Sequence, residues 1–68
     1  MLVTKDMIRD KNGKILGWVE TDQLGNKLVR DFSGRIRGRY KKVHNATFDF
    51  YGKIVAYGDA TAGLLYRK

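Results

Sequence analysis

Residues 8–17 read Ile8-Arg9-Asp10-Lys11-Asn12-Gly13-Lys14-Ile15-Leu16-Gly17, and this stretch decides the fold. Its centre, Asp-x-x-Gly, is a turn signal that occurs again at residues 22–25, 31–34 and 49–52. Asp at the first position of a turn accepts a hydrogen bond from the backbone two residues on, and Gly at the fourth takes the positive φ that closes a bulged hairpin. The sequence therefore predicts a series of β-hairpins.

The residues around the turn repeat as well. The pattern Ile-Arg-Asp-x-x-Gly-x-Ile-x-Gly at residues 8–17 aligns without gaps to residues 29–38, and more loosely to residues 47–56. The turn at residues 22–25 lacks the downstream Ile-x-Gly and is interpreted as a plain turn. A repeat of this length is typical of units that rely on their neighbours to bury an apolar face.

Strand patterns continue outside the repeat, since proline is absent and no window shows a sustained helical period. The prediction is an all-β antiparallel meander of about six or seven short strands, either a single sheet or a small closed barrel. The strands are predicted near residues 2–9, 14–21, 26–30, 35–43, 46–48, 53–58 and 63–67. A helical turn at residues 59–65, with Asp59 as its N-cap, is an alternative to the last strand.

Period-two alternation assigns the side chains to two faces. We expect the core face to include Ile8 opposite Ile15 and Val29 opposite Ile36 as cross-strand pairs. Its predicted members are Ile15, Gly17, Val19, Ile36, Gly38, Tyr40, Ile54, Ala56 and Gly58. The other face presents four apolar candidates for the barrel interior or a subunit interface, namely Leu16, Trp18, Val55 and Tyr57.

Size and composition favour one domain over residues 1–68 that associates with copies of itself. A chain this short buries only about 60% of the surface exposed by its unfolded state. There is no cysteine for a disulfide and one histidine for a metal site, so a homo-oligomer is the remaining common source of stability. The lack of cysteine, of a signal peptide and of a run of ~20 apolar residues predicts a cytoplasmic protein with no membrane segment.

Charge is concentrated in one segment, because six basic residues and one acidic residue lie in residues 30–44. Alternation along residues 35–42 would place four cations in a row, spaced like the phosphates of an extended nucleic acid. The candidates for binding a polyanion are Arg30, Arg35, Arg37, Arg39, Tyr40, Lys41 and Lys42. Phe32, Phe50 and Tyr51 are further candidates, with Tyr40, for stacking on bases. The alternative is a solvated edge strand whose basic side chains prevent edge-to-edge pairing.

The sequence offers little for catalysis. His44 and Ser33 are the only histidine and the only serine, and they are predicted at opposite ends of a strand. No paired carboxylates stand out, no glycine-rich loop precedes a helix, and one carboxylate per turn makes a poor calcium site. We therefore predict a protein that is not an enzyme and holds no metal or cofactor.

The tandem Asp-x-x-Gly-x-Ile-x-Gly hairpins of residues 7–58 resemble the small bacterial proteins of the four-fold beta-flower type. The resemblance implies hairpin petals around a pseudo-symmetric centre, and it implies no activity. The third copy departs from the pattern, with Thr47-Phe48 in place of Ile-Arg and Ala56 in place of Gly. Together these features predict a non-catalytic, basic interaction or assembly module that is homo-oligomeric. The alternative is binding of single-stranded DNA or RNA through the basic strand at residues 35–42.

Overall fold

The computed structural model describes residues 3–66, which form one antiparallel sheet and a short helix. The elements are β1 (Thr4–Arg9), β2 (Ile15–Thr21), β3 (Lys27–Asp31), β4 (Ile36–Lys41), β5 (Ala46–Asp49), β6 (Ile54–Tyr57) and α1 (Thr61–Tyr66). The order of the strands across the sheet is their order in the chain, and each neighbouring pair is antiparallel. The predicted meander is confirmed as a single open sheet with edges at β1 and β6, so the closed-barrel alternative is wrong.

All four Asp-x-x-Gly segments form the same turn. In each, the Asp Oδ1 accepts hydrogen bonds from the backbone N–H groups two and four residues on, at 2.8–3.0 Å. The Gly N–H donates to the Asp carbonyl, and the φ of each glycine lies between 84° and 91°. Only glycine adopts that φ without strain, so both fixed positions of the motif are explained by the turn itself.

The three repeat hairpins differ from the β2–β3 hairpin by a β-bulge after the turn. The register shifts between β1 and β2, between β3 and β4 and between β5 and β6, whereas β2 and β3 pair without a shift. The extra residues are Leu16, Arg37 and Val55. The division of the four turns into three repeat copies and one plain turn is therefore confirmed by their strand pairing.

Each bulge moves the repeat isoleucine to the face opposite the one predicted. Ile15 pairs with Arg9 and Ile36 pairs with Arg30, so the predicted pairs Ile8–Ile15 and Val29–Ile36 are wrong. Ile8 and Val29 instead pair with glycines, Ile8 with Gly17 and Val29 with Gly38. An extra residue in one strand reverses the alternation beyond it, which simple period-two counting does not anticipate.

The core lies on the face that carries Val19 and Val29, here named the inner face. These two valines pair across β2 and β3, and Leu64 of α1 packs against both. Ile8, Val55 and Leu65 surround this cluster. Of the predicted core residues, Gly17, Val19 and Gly38 are buried, which confirms them, while Tyr40, Ala56 and Gly58 are half-buried. Ile15 and Ile54 are exposed and Ile36 is half-buried, because the bulges place all three on the opposite, outer face.

The predicted strand at residues 63–67 is wrong for residues 63–66, which belong to α1, and residue 67 lies outside the described residues. The first predicted strand starts at Thr4, and residue 2 likewise lies outside them. The helical alternative is confirmed. Asp59 Oδ1 accepts hydrogen bonds from the Thr61 N–H at 3.1 Å and the Thr61 hydroxyl at 2.7 Å, and the Asp59 carboxylate also pairs with Lys27. Capping and the burial of Leu64 thus hold a helix that is too short to be stable alone.

Candidate functional site

Basic side chains gather at one end of the sheet. In a meander the connections alternate between the two ends, so the repeat turns at residues 10–13, 31–34 and 49–52 lie together; we call this the repeat-turn end. Its basic residues are Arg9, Lys11, Lys14, Arg30, Arg35, Arg37 and Lys53. The aspartates that begin these turns each use Oδ1 to accept two backbone N–H groups. These three aspartates face seven basic residues, so the repeat-turn end has an excess of positive charge.

A cleft of about 630 Å³ opens at this end between the second and third repeat hairpins. We call it the arginine cleft, and its lining residues are Arg30, Gly34, Arg35, Ile36, Arg37, Phe50 and Tyr51. Phe50 and Tyr51 occupy the middle of their turn and are 64% and 85% exposed. Their rings meet edge to face, with the centroids 5.4 Å apart. The cleft thus combines three guanidinium groups with two exposed aromatic rings.

Two of the three guanidinium groups are held in place by the hairpin. Arg30 Nη1 donates to the Gly34 carbonyl at 3.0 Å, and Arg30 Nε lies 3.4 Å from a Glu20 carboxylate oxygen. Arg37, the extra residue of its bulge, has Nη1 3.8 Å from Asp31 Oδ2. Arg35 is exposed and makes no side-chain hydrogen bond or ion pair within residues 3–66. Arg35 is therefore the cation most available to a ligand.

Asp31 is the carboxylate that pairs with Arg37, and its other oxygen is committed to the turn. The hydrogen bond from the Ser33 hydroxyl, with those from the Arg35 and Ser33 backbone and the nearby Arg37 charge, outweighs desolvation and lowers the pKa of Asp31. Asp31 therefore stays ionised at neutral pH, where it orders the turn and positions Arg37.

The structure divides the predicted polyanion-binding row. Arg30, Arg35 and Arg37 share the arginine cleft, whereas Arg39, Tyr40 and Lys41 line a different cleft with Glu20 and Asp22. Lys42 lies at the other end of the sheet, where its N–H donates to Asn26 Oδ1. The bulge at Arg37 interrupts the alternation, so an unbroken row of four cations is wrong.

The edge-strand interpretation of the basic segment is also wrong. β4 pairs with β3 on one side and β5 on the other, and the sheet edges are β1 and β6. Basic residues on an interior strand do not shield an exposed sheet edge. Their clustering needs another explanation.

The predicted interface residues are dispersed. Val55 packs against the core, Leu16 is a half-buried bulge residue, and Tyr57 is 81% exposed on the edge strand β6. Because Val55 packs against the core on the inner face, the prediction that these side chains share one face of the sheet with Trp18 is wrong. Trp18 instead lies beside other apolar side chains of the outer face, and we call this group the Trp18 patch, formed by Met7, Ile15, Trp18 and Phe32.

Two groups of residues were not predicted from the sequence. The Trp18 patch was missed because the bulges that bring Ile15 beside Trp18 were not foreseen. The second group is Lys14 and Lys53, which directly follow the first and third repeat glycines and stand at positions equivalent to the predicted Arg35. The alignment of the repeats treats this position as variable, although it is basic in all three copies. That shared charge could have indicated the basic repeat-turn end.

The candidates for catalysis stay apart, as predicted. Ser33 lies at the repeat-turn end, where its hydroxyl donates to Asp31, and His44 lies in the connection at the opposite end. Within residues 3–66, no group of three or more His, Cys, Asp or Glu side chains is placed to hold a metal ion. In the same part of the chain, no helix combines the length and the apolar character that crossing a membrane requires.

The chain matches no protein-family model, no curated protein and no solved structure. The resemblance to the four-fold beta-flower proteins therefore stays a prediction that rests on the hairpin repeat.

Proposed function

We propose that this chain is a non-catalytic interaction module that binds a phosphate-bearing polymer at its repeat-turn end. The observation that carries the proposal is the arginine cleft, in which Arg30, Arg35 and Arg37 converge. Guanidinium groups bind phosphate through paired charge-assisted hydrogen bonds, and a cleft lined by one sign of charge raises the local concentration of the opposite sign.

The surroundings of the cleft support a polymer rather than a single small anion. Lys14 and Lys53 stand at the positions equivalent to Arg35 in the first and third hairpins. Alternate strands of a sheet are about 10 Å apart, so these three cations form a series across the repeat-turn end. A chain with regularly spaced charges can contact several of them at once.

Binding measured at two salt concentrations tests the proposal. Labelled oligonucleotides and inorganic polyphosphate are titrated with the protein, and anisotropy reports the affinity. The log–log salt slope should be steep, at about −0.7 per phosphate neutralised on a single strand. Replacing both Arg35 and Arg37 with alanine should weaken binding and make that slope less negative by about 1.4.

Arg39→Ala provides the matched control, since it removes an exposed arginine of the same strand that lies outside the arginine cleft. It should leave the slope nearly unchanged. Binding that is absent for every probe, or that weakens equally with Arg39→Ala and with Arg35→Ala/Arg37→Ala, contradicts the proposed site. Circular dichroism of each variant separates loss of binding from loss of fold.

Self-association is a second candidate function, and the Trp18 patch favours it. Met7 and Phe32 are 51% and 70% exposed, although they adjoin other apolar side chains. The small core gives a further reason for a second copy to cover this patch. A cytoplasmic location agrees with either function and stays a prediction.

Sedimentation tests self-association directly. The proposal expects a mass above that of one chain at tens of micromolar, and Phe32→Glu should restore the single-chain mass. Leu24→Glu, which changes an exposed residue of the opposite end, is the control and should not. A folded protein of single-chain mass at these concentrations would contradict self-association.

A further inference from the structure

The rings of Phe50 and Tyr51 are not required by the turn that carries them. Asp49 accepts hydrogen bonds from the backbone of Tyr51 and Lys53, and Gly52 provides the positive φ. Neither aromatic side chain takes part in these bonds, and the equivalent positions of the first hairpin are occupied by Lys11 and Asn12. Two large rings exposed at a turn tip add nothing to the turn, so their presence points to a ligand.

Both rings lie in the arginine cleft, beside the cations assigned above to phosphates. Their planes are inclined at 80°, so the two rings do not stack on each other. With 64% of Phe50 and 85% of Tyr51 exposed, ring surface remains open to a flat partner. Arginine beside an open aromatic ring matches the two parts of a nucleotide. The arginine contacts the phosphate, and the aromatic ring stacks on the base.

We infer that the ligand of the arginine cleft is a single-stranded nucleic acid, with one or more of its bases stacked on Phe50 and Tyr51. This inference rests on the proposed function and narrows its ligand. Bases inside a duplex are already stacked on their neighbours and cannot offer their faces to a protein ring. Polyphosphate has no rings to offer. Stacking accepts any base, so the binding is independent of sequence.

The test compares probes that share a phosphate backbone but differ in their bases. They are single-stranded DNA and RNA of about 12 nucleotides, an abasic strand of the same length and a duplex; such lengths cover the site sizes usual for single-strand binders. The single strands should bind about tenfold more tightly than the abasic strand. Phe50→Ala/Tyr51→Ala should remove that advantage while leaving the affinity for the abasic strand unchanged.

Leu24→Ala is the matched control, since Leu24 occupies the middle of the plain turn and is 73% exposed at the opposite end. It should alter no affinity. A second readout reports stacking without depending on the alanine variants. In a Trp18→Phe background, the fluorescence of the Tyr51→Trp variant should be quenched by the single strands but not by the abasic strand.

The outcomes separate the stacking of bases on Phe50 and Tyr51 from the proposed binding of phosphates at the repeat-turn end. If the abasic strand or the duplex binds as tightly as the single strands, with no effect of Phe50→Ala/Tyr51→Ala, the inference fails while the phosphate site stands. Unquenched fluorescence of the Tyr51→Trp variant on saturation with single-stranded DNA and RNA would also overturn it. If no probe binds at all, the proposed function fails as well.

Discussion

The first two repeat hairpins end their bulges in glycine, and the third ends its bulge in alanine. A Cβ on Gly17 would lie 2.1 Å from the Arg30 carbonyl oxygen, and one on Gly38 would lie 2.4 Å from that of Phe48. Both oxygens belong to the strand that follows the hairpin in the sheet. Ala56 lies on β6, the last strand of the described sheet, where no following strand approaches.

The difference shows that the repeat glycine serves the contact between units rather than the hairpin itself. Gly17 pairs with Asp31 and Gly38 pairs with Asp49, so each glycine faces the aspartate that begins the next repeat turn. The weaker third copy of the sequence pattern is therefore explained by its place at the edge of the sheet. Three predictions test this account, in order of decreasing effect.

Gly38→Ala should destabilise the protein by about 3 kcal/mol, since its methyl group meets backbone on one side and Leu64 Cδ1, at 2.7 Å, on the other. The reverse change at the equivalent position, Ala56→Gly, should cost only about 0.5–1 kcal/mol, the usual cost of glycine in a strand. Urea unfolding followed by the fluorescence of Trp18, the single tryptophan, measures both.

Gly63→Ala is the control for the first prediction. Its methyl group enters open space in α1, so the same exchange should stabilise the protein by up to about 1 kcal/mol. Equal losses of stability for Gly38→Ala and Ala56→Gly would refute the account of the repeat glycine.

The two aspartates that face these glycines should also differ in how much they contribute to the stability of the fold. Asp31 accepts from the backbone of Ser33 and Arg35 and from the Ser33 hydroxyl, whereas the carboxylate of Asp49 accepts, within residues 3–66, from two backbone groups only. Asp31→Ala should therefore cost about 2 kcal/mol and Asp49→Ala about 1 kcal/mol, after allowance for solvent screening. Chemical unfolding of the two variants compares them, and a larger loss for Asp49→Ala would be the contrary result.

Acid should remove the stabilisation that the ionised carboxylates of Asp31 and Asp59 contribute to the fold. The folded-state pKa of Asp31 lies below its unfolded value, so the ionised form stabilises the fold. For Asp59, burial raises the pKa, but hydrogen bonds from Lys27 and Thr61 outweigh it and the net shift is downward. Both contributions are present above about pH 4, near the unfolded pKa, and are lost as pH falls through the folded values.

Unfolding free energies measured between neutral pH and pH 2 check this sign. The stability of Asp31→Ala should fall less steeply below pH 4 than that of the wild type, because one of the two shifted groups is missing. A stability that rises on acidification would contradict both assignments.

The sequence alone predicts the turns and the meander because both depend on local chemistry. Asp and Gly at fixed spacing specify each turn, and short connections require antiparallel neighbours. It does not predict the bulges, since an extra residue such as Arg37 is recognised only by its pairing across strands. Because the bulges are not predicted, Ile15 is assigned to the wrong face and the basic residues are expected to form an unbroken row.

The remaining differences also arise from tertiary contacts. α1 spans six residues, too few for a helical period to be visible, and it is held by Leu64 against the sheet. Of the candidate site, Arg30, Arg35 and Arg37 were predicted, and so were the stacking roles of Phe50 and Tyr51. That these residues line one cleft was not predicted, because it depends on how two hairpins lie side by side in the sheet.

The order of the strands also determines when the core can close during synthesis. Each strand reaches its partner through a connection of only four or five residues, so every hairpin can pair soon after it leaves the ribosome. α1 instead contacts β2, β3 and β4, which precede it by many residues. Val19 and Val29 therefore stay uncovered on the nascent sheet until Leu64 has been synthesised and can pack against them.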